Sequence, residues 1–171
     1  MPDILYYIGR ILQTLRDRGL YENTLIVFTS DHGTMIGSHR MNIKNMAFEE
    51  STRVPLLVHL PGQIESRKFN APVSQIDLVP TLLDLMGQPV ADHLQGKSLR
   101  PLIQQSGTPT HEADVFIEWQ GPVPLDVVPE AMKGVASEAD IQASCNSRVR
   151  TIVTPDRWKF NCSQVGEDEL Y

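Results

Sequence analysis

The run Thr24-Leu25-Ile26-Val27-Phe28-Thr29-Ser30-Asp31-His32-Gly33 constrains this chain more than any other stretch. Its six leading apolar or β-branched residues read as a strand buried on both faces, the kind found inside a parallel sheet. The run then ends abruptly in an acid, an imidazole and a glycine. In open α/β sheets ligands bind beyond the carboxyl ends of such strands, so Asp31 and His32 sit where chemistry is expected, and Gly33 permits a backbone turn. A carboxylate and an imidazole at adjacent positions can reach one cation. A hard divalent ion takes oxygen from Asp31, and His32 widens the choice beyond calcium and magnesium. Lys44, in the loop beyond, offers a mobile cationic head to a sulfate or phosphate oxygen. On spacing alone, a turn capped by Asp31 beside an ordinary polar His32 fits equally well, because Asp-His-Gly is a short motif.

The neighbouring segments fit an α/β chain. Leu5, Ile8, Leu12 and Leu15, with Ile4 and Ile11 beside them, recur at helical spacing, and Gly19 stands where a helix C-terminus needs it. Residues 34–50 form an irregular loop in which 46–50 can make a helical turn. Val54 to Leu60 reads as a second buried strand, stopped by Pro61-Gly62. Residues 63–72 suit an exposed connection or a short edge strand. Ser74 to Gly87 reads as a helix with Asp77 as N-cap and Pro80 in its first turn. A helical turn at 98–103, a strand at 114–119, a long loop at 120–140 and a hairpin turning at Thr154-Pro155-Asp156 complete the pass. The sequence divides at residue 110: 1–110 carries the α/β pattern, and 111–171 is loop-rich with the hairpin.

Composition narrows the partners. A formal charge of −6 on 171 residues argues against nucleic acid and against a membrane surface. No apolar run approaches the roughly 20 residues that span a bilayer, and Met1-Pro2-Asp3 lacks a basic signal-peptide start. Compartment stays open, because Cys145 and Cys162 can be bridged or reduced.

Beyond these local signals, Asn23 to Gly33, Gly37, His39, Lys44, Glu50 to Leu57, Pro61-Gly62, Gln75 to Asp84, Gly96 to Leu99 and Pro101-Leu102 fall in one order. Arg148 to Thr151, Trp158 to Phe160 and Glu169 to Tyr171 follow them. This series resembles the sulfatase family of the alkaline phosphatase superfamily. The resemblance implies an alkaline phosphatase-like mixed or parallel sheet flanked by helices, here an incomplete domain with a small C-terminal β-hairpin region. It implies a divalent metal, calcium, held in part by Asp31 and His32, and a sulfate ester substrate bound by Lys44. The nucleophile of such enzymes is the hydrate of formylglycine, made from the Cys or Ser of a Cys/Ser-x-Pro-x-Arg motif.

That motif is not among these residues. Cys145-Asn146-Ser147-Arg148 lacks the proline and lies downstream of Asp31, so it reads as a chance pattern. The family's earlier metal-binding aspartates, catalytic histidine and second lysine have no counterpart either. The sequence therefore reads as the C-terminal part of a sulfatase catalytic domain, supplying half a metal site and one sulfate-binding lysine, with no nucleophile present. Two alternatives stand beside it: a phosphodiesterase or phosphonate hydrolase of the same superfamily, or a truncated non-catalytic chain inactive alone. The spacing from Asp31 to Lys44 favours sulfatase. An exposed sheet edge is expected to promote self-association. His39, His59, His93 and His111 read as loop or strand-end residues, Glu49, Glu50 and Arg53 as ion pairs ordering the Lys44 loop, and Trp119 and Trp158 as core or interface aromatics.

Overall fold

The computed structural model describes residues 3–40, 44, 47–63, 65–104, 112–121 and 134–171. Helix α1, Ile4–Asp17, is the amphipathic helix the spacing predicts. It ends at Gly19, whose φ of 66° lets Gly19 N–H reach Arg16 O and Leu20 N–H reach Leu15 O, satisfying carbonyls that the last turn would otherwise leave open. Ile8, Leu12 and Leu15 are half-buried, whereas Ile4, Leu5 and Ile11 are exposed.

Strand β1, Ile26–Thr29, does not lie in a parallel sheet: it pairs antiparallel with β2, Leu56–His59, in register Ile26↔His59 to Thr29↔Leu56. Its burial is also partial, with Phe28 39% exposed and Leu57 58% exposed. The reason is local. Between the strands the chain reverses through the one-turn helix α2, Glu49–Thr52, and Gly33 N–H donates to Ser51 O at 2.8 Å just beyond the paired residues. The return strand is thereby held beside β1 in the opposite sense, and the outer faces of both meet no second layer among the described residues.

Helix α3, Leu78–Leu85, follows a 3-10 turn at Gln75–Asp77. Asp77 stands at the N-cap of α3, as predicted, but makes no side-chain cap bond there; Ser74 caps the preceding 3-10 turn, and Asp77 completes a capping box by accepting from Ser74 N–H at 3.1 Å. Asp77 also accepts from Lys97 N–H at 2.8 Å. Thr81 Oγ1 accepts from Leu99 N–H at 2.8 Å, so α3 is stitched to the segment leading into α4, Arg100–Gln104. Leu99 and Leu102 in this corner are buried, and Pro80 of α3 and Met35 from the loop after β1 are buried completely.

Strands β3, Val115–Trp119, β4, Val149–Val153, β5, Lys159–Ser163, and β6, Glu169–Leu170, form an antiparallel sheet in chain order. The long loop expected over 120–140 gives way at its end to helix α5, Glu138–Asn146, which Ser137 caps by accepting from Asp140 N–H; residues 122–133 of that loop lie outside the described set. The hairpin turn closes with Thr154 N–H on Trp158 O and Trp158 N–H on Thr154 Oγ1. That turn sets a register in which Lys159 and Asn161 face inward, while Trp158, expected inside, is 58% exposed. Thr151 Oγ1 donates to Asn161 Oδ1 at 2.7 Å within this polar inner face.

Candidate functional site

The polar end of β1 builds the site. Ser30 Oγ donates to His32 O at 2.8 Å, folding the chain back so that His32 N–H donates to Asp31 Oδ1 at 2.9 Å. That backbone N–H is the main cause holding the Asp31 carboxyl below its usual value. His32 Nδ1 stands 2.8 Å from Gly33 O. A carbonyl only accepts, so Nδ1 carries the proton and Nε2 presents its lone pair. Nε2 then lies 3.3 Å from Asp31 Oδ2 and 2.8 Å from Lys44 Nζ, which donates to it. His32 Nε2 thus meets both the Asp31 carboxylate and the Lys44 ammonium, which stand 13 residues apart in the sequence.

Two electron-pair donors that face each other this closely are suited to a cation, and the Lys44 ammonium is the cation beside them. An oxygen and an imidazole nitrogen make a donor set acceptable to several divalent metals, and the backbone bond at Nδ1 fixes the ring as metal-binding histidines require. The pair is two ligands only: no group of three His, Cys, Asp or Glu side chains is gathered for a metal among the described residues.

Two residues to which the sequence reading assigned no role hold this arrangement. Gln75 Nε2 donates to both Ser30 O, at 2.6 Å, and Asp31 O, at 2.9 Å. It reaches across 44 and 45 residues, so no local signal announces it. Ser51, buried in α2, donates through Oγ to Lys44 O and accepts Gly33 N–H on its own carbonyl. In sequence it is a small polar residue in a charged run, which looks like surface. Gly33 also changes meaning. A Cβ there would overlap Glu50 O and stand 3.4 Å from Ser51 Cα, so glycine is needed for backbone contact with α2, not for a turn.

The remaining candidates fall into supporting places. His39 stacks on Phe48, with centroids 4.1 Å apart, and lies 3.8 Å from Glu50 Oε1. Glu49 and Arg53 make a loose pair at 3.9 Å. His59 lies at the end of β2 and stacks on Tyr21, and its buried Nε2 has no hydrogen-bond partner among the described residues. Cys162 is free and exposed, His93 is exposed in its loop, and His111 lies outside the described residues.

Residues 6–88 match the family model Sulfatase. The chain is 42% identical over 118 residues to arylsulfatase K of Danio rerio, covering 67% of this chain and 22% of that protein. Its coordinates superpose on a phosphonate monoester hydrolase from Silicibacter pomeroyi with a TM-score of 0.74 and 27% identity, covering 97% of this chain and 32% of that one. A protein solved with its substrate D-glucosamine-2-N,6-O-disulfate gives a TM-score of 0.68 at 29% identity, over 96% of this chain and 30% of that one. The architecture is therefore part of an alkaline phosphatase-like domain. Within that class, the chain belongs to the sulfatase family. It spans about a quarter or less of the length of the curated relatives it matches, 26% of one and 9% of another.

Proposed function

We propose that this chain supplies the metal-binding and sulfate-binding part of a sulfuric ester hydrolase. The observation that carries the reading is the convergence of Asp31 Oδ2, His32 Nε2 and Lys44 Nζ at one strand end. Asp31 and His32 hold a divalent metal, calcium in this reading, and Lys44 turns to a sulfate oxygen when substrate is present. When bound, the metal would polarise the sulfate oxygens, and a formylglycine hydrate from outside these 171 residues would supply the attacking oxygen.

The residues of this chain position and neutralise. His32 keeps its Nε2 lone pair outward because Gly33 O holds the proton on Nδ1. Gln75 pins the backbone beneath the Asp31 carboxylate. Lys44 brings a full positive charge to the place where negative charge grows on the sulfate. Residues 1–110 form the catalytic part and 111–171 a C-terminal subdomain, a division supported by their separate sheets. The substrate is a sulfate ester of a small molecule or carbohydrate.

The test is hydrolysis of an aryl sulfate by the full-length gene product and by residues 1–171 alone. The full-length protein turns over, Lys44→Ala in it loses about 100-fold or more in kcat, and the 171-residue chain is inactive. Turnover by the 171-residue chain overturns the assignment of the nucleophile to another part of the domain. A second reading, phosphonate or phosphodiester hydrolysis, is favoured by the fold match to a phosphonate monoester hydrolase. A full-length protein that prefers an aryl phosphonate monoester over the aryl sulfate would establish it.

A further inference from the structure

We propose that Lys159, on β5 of the C-terminal sheet, is a positioning residue for the Lys44 and Asp31–His32 site; the inference rests on the functional reading above. Lys159 is only 7% exposed, an uncommon place for an ammonium. Its Nζ donates to Glu49 Oε1 at 3.0 Å and to Thr52 Oγ1 at 3.3 Å, the first and last residues of α2. These bonds span 110 and 107 residues of sequence.

Helix α2 is a single turn, too short to hold its own conformation, so its placement depends on tertiary bonds. On the side facing the site, Ser51 Oγ fastens Lys44 O and Ser51 O fastens Gly33 N–H. On the other side stands Lys159. One turn of helix is thus clamped between a buried cation from the C-terminal sheet and the two segments that carry the candidate ligands. Through it, the C-terminal sheet sets where the Lys44 backbone stands relative to His32. Thr52 Oγ1 takes part by accepting from Lys159 while donating to Phe48 O, which leaves the hydroxyl no second donor to spare.

The clamp is read by hydrogen exchange with mass spectrometry on the 171-residue chain, comparing Lys159→Met with Lys159→Arg. Met keeps the stem and removes the ammonium; Arg restores a donor to both partners. In Lys159→Met, amides in peptides spanning 31–35 and 49–53 exchange about tenfold faster, while those of β3 and β4 stay within about twofold. Lys159→Arg returns the first set toward the parent rate. Unchanged exchange at 31–35, an equal rise in every segment, or failure of Arg to rescue overturns the proposal. Glu49→Gln, altered on an exposed side chain, reads the same link should Lys159→Met fail to fold, and gives a smaller change at the same peptides; no change there likewise overturns the proposal. Activity is scored separately in the full-length protein, where Lys159→Met lowers aryl sulfate kcat about tenfold with KM changed less than twofold and Arg recovers it. A kcat left at the parent value in that variant overturns the proposal. A protein that passes the exchange test without hydrolysing any sulfate refutes the functional reading and leaves the clamp standing.

Discussion

Replacing Gly33 with alanine tests the site through its backbone. The added methyl would overlap Glu50 O, far inside the roughly 3.5 Å at which carbon and its neighbours rest. Neither side can yield by rotating a side chain, because both are main chain. Relief requires β1's end and α2 to part by about 1 Å or more, which stretches the 2.8 Å bond from Gly33 N–H to Ser51 O to about 3.8 Å, beyond hydrogen-bond range. The lost bond costs about 1 kcal/mol and the forced displacement about 1–3 kcal/mol. Together these lower Tm by about 5–12 °C for a chain of this size. The control is Gly9→Ala: Gly9 lies within α1 with nothing within 4 Å of a Cβ, and the change should raise stability by about 0.5–1 kcal/mol. Thermal melts of the two variants beside the parent decide the matter. A Gly33→Ala Tm within 1 °C of the parent, by the same scaling about 0.3 kcal/mol, would refute the claim that close approach dictates this glycine.

Three further outcomes follow from the same structure. The accessible surface is 12549 Å², against about 8,400 Å² expected of a folded monomer of this mass, and the exposed side chains include Ile4, Leu5, Ile11, Phe28 and Leu57. Sedimentation of the isolated chain should therefore show concentration-dependent association; a monodisperse monomer at 100 μM, far above the roughly micromolar range of ordinary interfaces, would contradict it. Calcium should bind the isolated chain no more tightly than about the micromolar range, since Asp31 and His32 are two ligands where such sites use six to eight oxygens; a submicromolar Kd by calorimetry would count against the two-ligand description. Asp84 has its carboxyl lowered by the Ser98 hydroxyl, at 2.5 Å, and by Arg100. A lowered folded-state value means stability present above the ordinary carboxylate value and lost as pH falls below it through the lowered folded-state value. Asp84→Asn should flatten the acid limb of a Tm-against-pH curve, and an unchanged limb would remove Asp84 from the account.

What local pattern determined is clear from α1, α3 and β4–β5. Helical spacing set α1, and glycines at positive φ closed α1 and α3 at Gly19 and Gly87, because caps depend on residues within a turn of each other. The abrupt polar end of β1 made Asp31 and His32 candidates, although on spacing alone a capped turn fits equally well. The sense in which β1 and β2 pair, the clasp of Gln75 on the Asp31 backbone, and the burial of Ser51 and Lys159 were decided only in three dimensions. Each joins segments that are distant along the chain, or depends on a turn that sets which strand residues face inward. The Thr154–Trp158 turn fixes the register that leaves Trp158 exposed and buries Lys159. The sequence by itself determined which groups could do chemistry, because side-chain type is a local property. Tertiary structure decided whether they meet, because one residue of register or one buried hydrogen bond controls orientation without leaving a mark on composition or period.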